Sequence, residues 1–213
     1  MKQKESKHYD AWLPWSLTDR CNLACVYCIC PHPHKKTAGL PEINIRSLMT
    51  TLGKTNKVFL IHFSGGGEPF LAPNIIEACI EITERHYISF TTNLTSSRVR
   101  EFAEKVDPRR VVRIAASAHV KDLERCRLLD VYIRNVLLLR EKGFEVKVTE
   151  VAYPPLFKEV ERCRHLFQER GIELGFKPFS GEYEGRRYPF SYTEEELKIF
   201  DLGDRDSVLR RHL

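Results

Sequence analysis

The chain has 213 residues, 42% of them hydrophobic and 30% charged, and a net charge of +5. That length supports one sizeable domain with its own core, and that composition excludes a disordered chain. No apolar run approaches the ~20 residues of a bilayer-spanning helix, and the polar start MKQKESKHYD lacks the apolar stretch of a secretory signal. The expectation is a cytoplasmic protein with no membrane partner. In that reducing setting the seven cysteines, an odd number, are not expected to form a closed disulfide framework.

In chain order, residues 1–11 read as a tail. β-rich runs follow at LPWSLT (13–18), KVFLIHF (57–63), YISFTT (87–92), RVVRIAAS (110–117), FEVKVTEV (144–151) and IELGFKPF (172–179). Helical patterns lie between them at 74–86, 96–106, 123–143 and 156–171. Strand–helix alternation predicts an α/β fold with a parallel sheet and helices outside it. Six βα units make a partial (βα)6 TIM-like barrel rather than the closed eight-fold one. The expected division is a single core domain at 12–180 and a short C-terminal extension at 181–213.

Active sites of β/α barrels lie at the C-terminal strand ends, and side chains there alternate in period two. That period puts His62 and Ser64, Thr91 and Asn93, Ser117 and His119, and Lys147 and Thr149 on the inner face. Lys177 is offered by the sixth strand. Phe59, Ile61, Phe63, Ile114, Ala116, Val146 and Val148 fall on the opposite face. A polar lining predicts a wet or ligand-filled cavity.

The densest chemistry is LTDRCNLACVYCIC (17–30). Cys21, Cys25 and Cys28 have the spacing C-x3-C-x2-C directly after the first predicted strand. Three thiolates on one loop suit three corners of an iron–sulfur cubane. A structural zinc site is the competing reading, because Cys30, His32 and His34 follow and zinc takes four such ligands. A second motif, HFSGGGEPF (62–70), follows the second strand. Its glycines permit close approach and positive φ, and Glu68 offers a carboxylate to an ammonium group. No Gly-Lys-Ser/Thr follows, so it is not a P-loop.

Together, Cys21-x3-Cys25-x-Tyr27-Cys28 and Gly66-Gly67-Glu68-Pro69 resemble the motifs of the radical S-adenosylmethionine (SAM) superfamily. The resemblance covers roughly residues 12–180. It implies a [4Fe–4S] cluster on Cys21, Cys25 and Cys28, with SAM on the remaining iron. It places Tyr27 near adenine, and Gly66, Gly67 and Glu68 near the methionine ammonium. It makes Asn93 and Ser117 candidates for the SAM carboxylate and ribose. It implies an enzyme that cleaves SAM reductively to a 5′-deoxyadenosyl radical, fed by a flavodoxin or ferredoxin and acting on a peptide or a nucleotide or tRNA. A degenerate scaffold that binds the cluster without cleaving SAM is the alternative.

His119 and Lys147 are read as further SAM or substrate contacts. Cys79, Cys126 and Cys163 lie on predicted helix faces and read as core cysteines. In the extension, Tyr183, Arg186, Arg187 and Tyr188 suggest a lid, and Thr193 with Glu196 forms a capping-box pattern.

Overall fold

The computed structural model describes residues 7–30, 40 and 42–210. Its sheet consists of β1 (Ala11–Trp15), β2 (Phe59–Phe63), β3 (Tyr87–Thr92), β4 (Val111–Ser117), β5 (Val146–Ala152) and β6 (Gly175–Pro178). They pair in the order β1-β2-β3-β4-β5-β6, and every pairing is parallel. Among the described residues β6 does not pair back to β1, so the sheet is an open, partial (βα)6 barrel.

Among the described residues six α-helices cover the connections: α1 (Ile45–Gly53), α2 (Ile75–Thr83), α3 (Arg98–Lys105), α4 (Val120–Arg125), α5 (Leu129–Glu141) and α6 (Val160–Gln168). The helix α1 is not among the expected elements; Asn44 caps it by accepting from the Ser47 N–H at 3.0 Å. The continuous pattern at 123–143 splits into α4 and α5 because Arg127 takes a left-handed φ of 57°. The first strand begins and ends earlier than its sequence run, since Ser16–Thr18 leaves the ladder. Among the described residues, no helix is long and apolar enough to cross a membrane.

The outer face of the sheet packs on these helices. Ile61, Phe63, Ile88, Phe90, Ile114 and Ala116 are fully buried there. Phe63, Phe90, Phe70 and Phe102 form a run of ring contacts at 4.9, 5.0 and 5.3 Å. Burial of such rings is the main stabilising contribution, roughly 2–3 kcal/mol each. Cys79 and Cys163 lie in this core, whereas Cys126 is half-buried. Burial pushes the Cys163 thiol up to about 11, the behaviour of an inert core thiol.

The extension continues as a hairpin, β7 (Gly181–Tyr183) and β8 (Arg186–Tyr188), followed by α7 (Glu194–Ile199) and α8 (Arg205–Arg210). The expected capping box is present between Thr193 and Glu196. Tyr192 anchors this segment: its hydroxyl donates to the Ala152 carbonyl at 2.6 Å and accepts from the Phe179 N–H at 2.8 Å. Tyr188, Tyr192 and Phe200 form a second apolar cluster with Val151, Ala152 and Phe179.

Candidate functional site

A cavity of about 370 Å³ opens at the C-terminal ends of the strands. Cys21, Cys25, Tyr27, Cys28 and Cys30 line it from the loop after β1. Gly65, Gly66, Gly67 and Glu68 line it after β2; Thr91 and Asn93 at the end of β3; Ser117 and His119 at the end of β4; Val151 and Lys177 from β5 and β6. Sequence segments far apart thus meet at one end of the sheet.

The cysteine loop is held by the glycine segment. The Gly67 N–H donates to the Thr18 carbonyl at 2.6 Å, and the Glu68 N–H to the Arg20 carbonyl at 2.7 Å. A Cβ on Gly67 would sit 1.7 Å from the Arg20 carbonyl oxygen, and one on Gly66 2.2 Å from that of Thr18. These two glycines are needed because backbone lies against backbone.

Glu68 faces inward. It is 2% exposed. One carboxylate oxygen accepts from Thr92 Oγ1 at 2.6 Å and the Phe70 N–H at 3.1 Å; the other accepts from the Asn93 N–H at 2.7 Å. Burial raises its pKa, and these three donors oppose that rise. In this arrangement the carboxylate ties the end of β3 to the glycine segment.

Asn93 lines the cavity with its amide engaged. Its Nδ2 donates to Asn22 Oδ1 at 3.0 Å and approaches Cys21 Sγ at 3.6 Å. Its Oδ1 accepts from Thr95 Oγ1 at 2.6 Å. Asn22 was not visible as a site residue from sequence; it closes this network through Thr95 at 2.7 Å.

Cys21 Sγ also accepts from the Leu23 N–H at 3.5 Å. Two N–H groups aimed at one sulfur favour its thiolate, which is the ligand form. Burial raises the thiol pKa of both Cys21 and Cys25, with Asp122 adding to the rise at Cys25. A cationic partner is therefore what would ionise these thiols, and the donor set fits an iron–sulfur cluster. Cys30, beyond the three-cysteine motif, faces the same cavity beside Cys28. Among the described residues, no group of three or more His, Cys, Asp or Glu side chains could hold a single metal ion. His32 and His34, which the zinc reading needs, lie outside the described residues.

Tyr27, His119 and Glu150 form a partly buried chain. The Tyr27 hydroxyl donates to Glu150 Oε1 at 2.9 Å and lies 3.1 Å from His119 Nδ1. Glu150 also accepts from the Val120 N–H at 2.6 Å and the Val151 N–H at 2.7 Å. Burial, and then the charge of Lys177, lowers the His119 pKa to about 4. With the Tyr27 hydroxyl donating to Glu150, the neutral imidazole carries its proton on Nδ1 and presents Nε2 as an acceptor. His119 takes a left-handed φ of 39°, a strained conformation for a residue with a Cβ. Glu150 escaped the sequence reading because period two puts it with Val146 and Val148.

Ser117 is buried, and its hydroxyl has no hydrogen bond among the described residues. Lys147 stands apart from the cavity. It is exposed and does not line it. It lies on the inner face, level with Ala115, but β5 reaches the cavity only at Val151, four residues later. Solvent retains the ammonium, since burying it unpaired is costly. Lys177 of β6 is the lysine that reaches the cavity.

Comparison with known proteins follows the same motifs. Mycofactocin maturase MftC of Mycobacterium ulcerans (strain Agy99) is 30% identical over 106 residues, 49% of this chain and 26% of the maturase. GTP 3′,8-cyclase of Clostridium perfringens (strain 13 / Type A) is 29% identical over 216 residues, 93% of this chain and 64% of the cyclase. This chain therefore spans less than two thirds of either relative. Among solved structures, native anSMEcpe with bound AdoMet has a TM-score of 0.65 at 21% identity, covering 89% of this chain and 57% of that one. Streptococcus suis SuiB bound to precursor peptide SuiA has a TM-score of 0.59 at 16% identity, covering 95% and 46%. These two likenesses show the fold. The profile of the Radical SAM superfamily matches residues 15–167, most of the described sheet with its cysteine and glycine motifs, and the chain belongs to the radical SAM superfamily.

Proposed function

We propose that this chain is an enzyme that holds a [4Fe–4S] cluster on Cys21, Cys25 and Cys28 and SAM beside it, and abstracts a hydrogen atom from a substrate. The observation that carries this reading is the gathering of the motif cysteines, the Gly66–Glu68 segment and the ends of β3 and β4 around one cavity. When bound, the cluster and SAM supply reductive cleavage of SAM to methionine and a 5′-deoxyadenosyl radical.

The protein's own groups divide the remaining work. Hydrogen bonds from Leu23 and Asn93 to Cys21 Sγ bias the cluster's potential. Tyr27 closes one wall with its ring. Ser117 Oγ and Lys177 Nζ would donate to an anionic carboxylate, and His119 Nε2 would accept from a hydroxyl or amine. Glu68 and Asn93 hold the loops that surround these groups. Residues 12–180 form the core in this reading, and the described part of the extension, 181–210, packs against it through Val151, Ala152 and Phe179.

An acidic flavodoxin or ferredoxin would suit the net charge of +5, with reduction slowing as salt rises. The substrate is a peptide or a nucleotide. SuiB bound to its precursor peptide supports the first and the GTP 3′,8-cyclase relative supports the second. The test is low-temperature EPR on anaerobically reconstituted, dithionite-reduced protein, with and without SAM. A reduced-cluster signal that changes with SAM is expected. A signal indifferent to SAM indicates a scaffold without SAM cleavage, and stoichiometric zinc without a cluster overturns the reading.

A further inference from the structure

Several cations on the helical side of the molecule are already paired. Arg100 pairs with Glu104, Lys105 with Glu101, Lys121 with Glu159, and Arg162 with Glu124 and Glu159. The concave face of the sheet differs. Arg113 on β4, Lys147 on β5 and Lys177 on β6 are all exposed, and none has an ion-pair partner among the described residues.

The register puts these three side chains on one face. Ser89, whose hydroxyl meets His62 Nδ1 at 2.7 Å, is level with Arg113. Thr91, which lines the cavity, is level with Ala115, and Ala115 with Lys147. Val151, another lining residue, is level with Lys177. The charge of Arg113 contributes to a lowered pKa at His62, after burial, as expected of neighbours on one face.

The three cations run diagonally from the lower part of β4 to the cavity edge at β6. With about 3.3 Å per residue and about 4.8 Å between strands, their Cα atoms are about 8 Å and about 14 Å apart in sequence order. Those separations match acidic side chains two and four positions apart in an extended chain, whose side chains on one side repeat every ~7 Å.

The floor between the cations is made of Ala115, Thr149 and Gly175. It is low and carries no ring on which a base could stack. Among the described residues the one exposed aromatic on this face, Trp12, is 60% exposed beside His62 on β1, at the opposite edge. Strand-type nucleic-acid sites interleave cations with aromatic platforms, and this face does not. We propose that the concave face binds an extended acidic peptide segment of the substrate, its carboxylates met by Arg113, Lys147 and Lys177, and leads it into the cavity. This rests on the reading of the cavity as the place where substrate is handled.

The test is fluorescence anisotropy on the reconstituted protein with SAM. The probes are a fluorescein-labelled decapeptide of alternating Glu and Gly, its Gln-for-Glu counterpart, and labelled decauridylate. The acidic peptide is expected to bind tightest, with affinity falling as salt rises. Each of Arg113→Gln, Lys147→Gln and Lys177→Gln is expected to weaken it about two- to fivefold, and the triple variant more than tenfold. Arg100→Gln, on the helical side, should leave the isotherm unchanged. Equal binding of the Gln peptide, tighter binding of decauridylate, or wild-type affinity in the triple variant overturns the proposal. All three sites are exposed, and thermal melts establish that the variants fold. EPR reports on the cofactors and anisotropy on the concave face, so either reading can fail alone.

Discussion

Substituting Gly67 by Ala tests how the cysteine loop is held. Gly67 does not take a positive φ, unlike Gly65 and Gly66, so Ala there meets no conformational penalty. It meets backbone instead. The new Cβ would lie 1.7 Å from the Arg20 oxygen, 2.2 Å from its carbon and 2.6 Å from its nitrogen. Main-chain atoms cannot swing aside as a side chain can, so the two loops must part by more than an ångström. Parting breaks the bonds from Gly67 to Thr18 and from Glu68 to Arg20. At about 1 kcal/mol net for each bond, and more where a donor is left buried, the loss is about 2–4 kcal/mol. For a chain of this size that is a Tm lower by roughly 5–15 °C.

Gly65→Ala is the control. Its Cβ would find Ser16 no closer than 3.8 Å, and only its φ of +77° is unfavourable, a cost of about 1 kcal/mol. Calorimetry and iron content after reconstitution measure both effects. Gly67→Ala should lose most of its iron and melt well below Gly65→Ala. Equal melting and equal iron in the two variants would refute the account of the glycine segment as a clamp.

Other outcomes follow from the same geometry. Cys30→Ala should retain the iron of the wild type while Cys28→Ala loses most of it, as measured by iron and sulfide analysis; equal loss would make Cys30 a ligand. Glu68→Gln should lower stability by about 2–3 kcal/mol in denaturant titrations, because an amide NH2 would face one of three buried donors. His119 has a folded pKa of about 4 against an ordinary 6.5. Its contribution is therefore complete above pH 6.5 and lost as pH falls toward 4, a difference of about 3 kcal/mol at ~1.4 kcal/mol per unit. His119→Gln should flatten that acid limb in melts taken from pH 7 to 4, and an unchanged limb would refute the assignment.

Several parts of the site were legible from residue order. The two motifs, placed after successive strands, located the cavity, and period two assigned the inner face of β3 and β4 through Thr91, Asn93, Ser117 and His119. Period two reports the face and not the height, so it puts Lys147 and Lys177 on one face without telling that Lys177 lines the cavity and Lys147 does not. The run LPWSLT overshoots β1 because the carbonyls of Thr18 and Arg20 turn to receive the glycine segment, a contact made 48–49 residues away. Glu150 has the parity of the core-facing valines, and only the three-dimensional end of β5 brings it to Tyr27 and the α4 N-terminus. The split between α4 and α5 hides in a continuous helical pattern, since nothing about Arg127 announces its left-handed turn.

The bridge made by Tyr192 has a mechanical consequence. Its hydroxyl joins the last carbonyl of β5 to the N–H of Phe179 just beyond β6, acting as an extra rung beyond the ladder. One margin of the open barrel is thereby stitched to the segment that leads into α7, while β1 at the other margin pairs, among the described residues, with β2 alone. The two rims of the trough are therefore expected to differ in stiffness, the β1 rim being the softer. Amide exchange should be faster in Ala11–Trp15 than in Val151–Phe179.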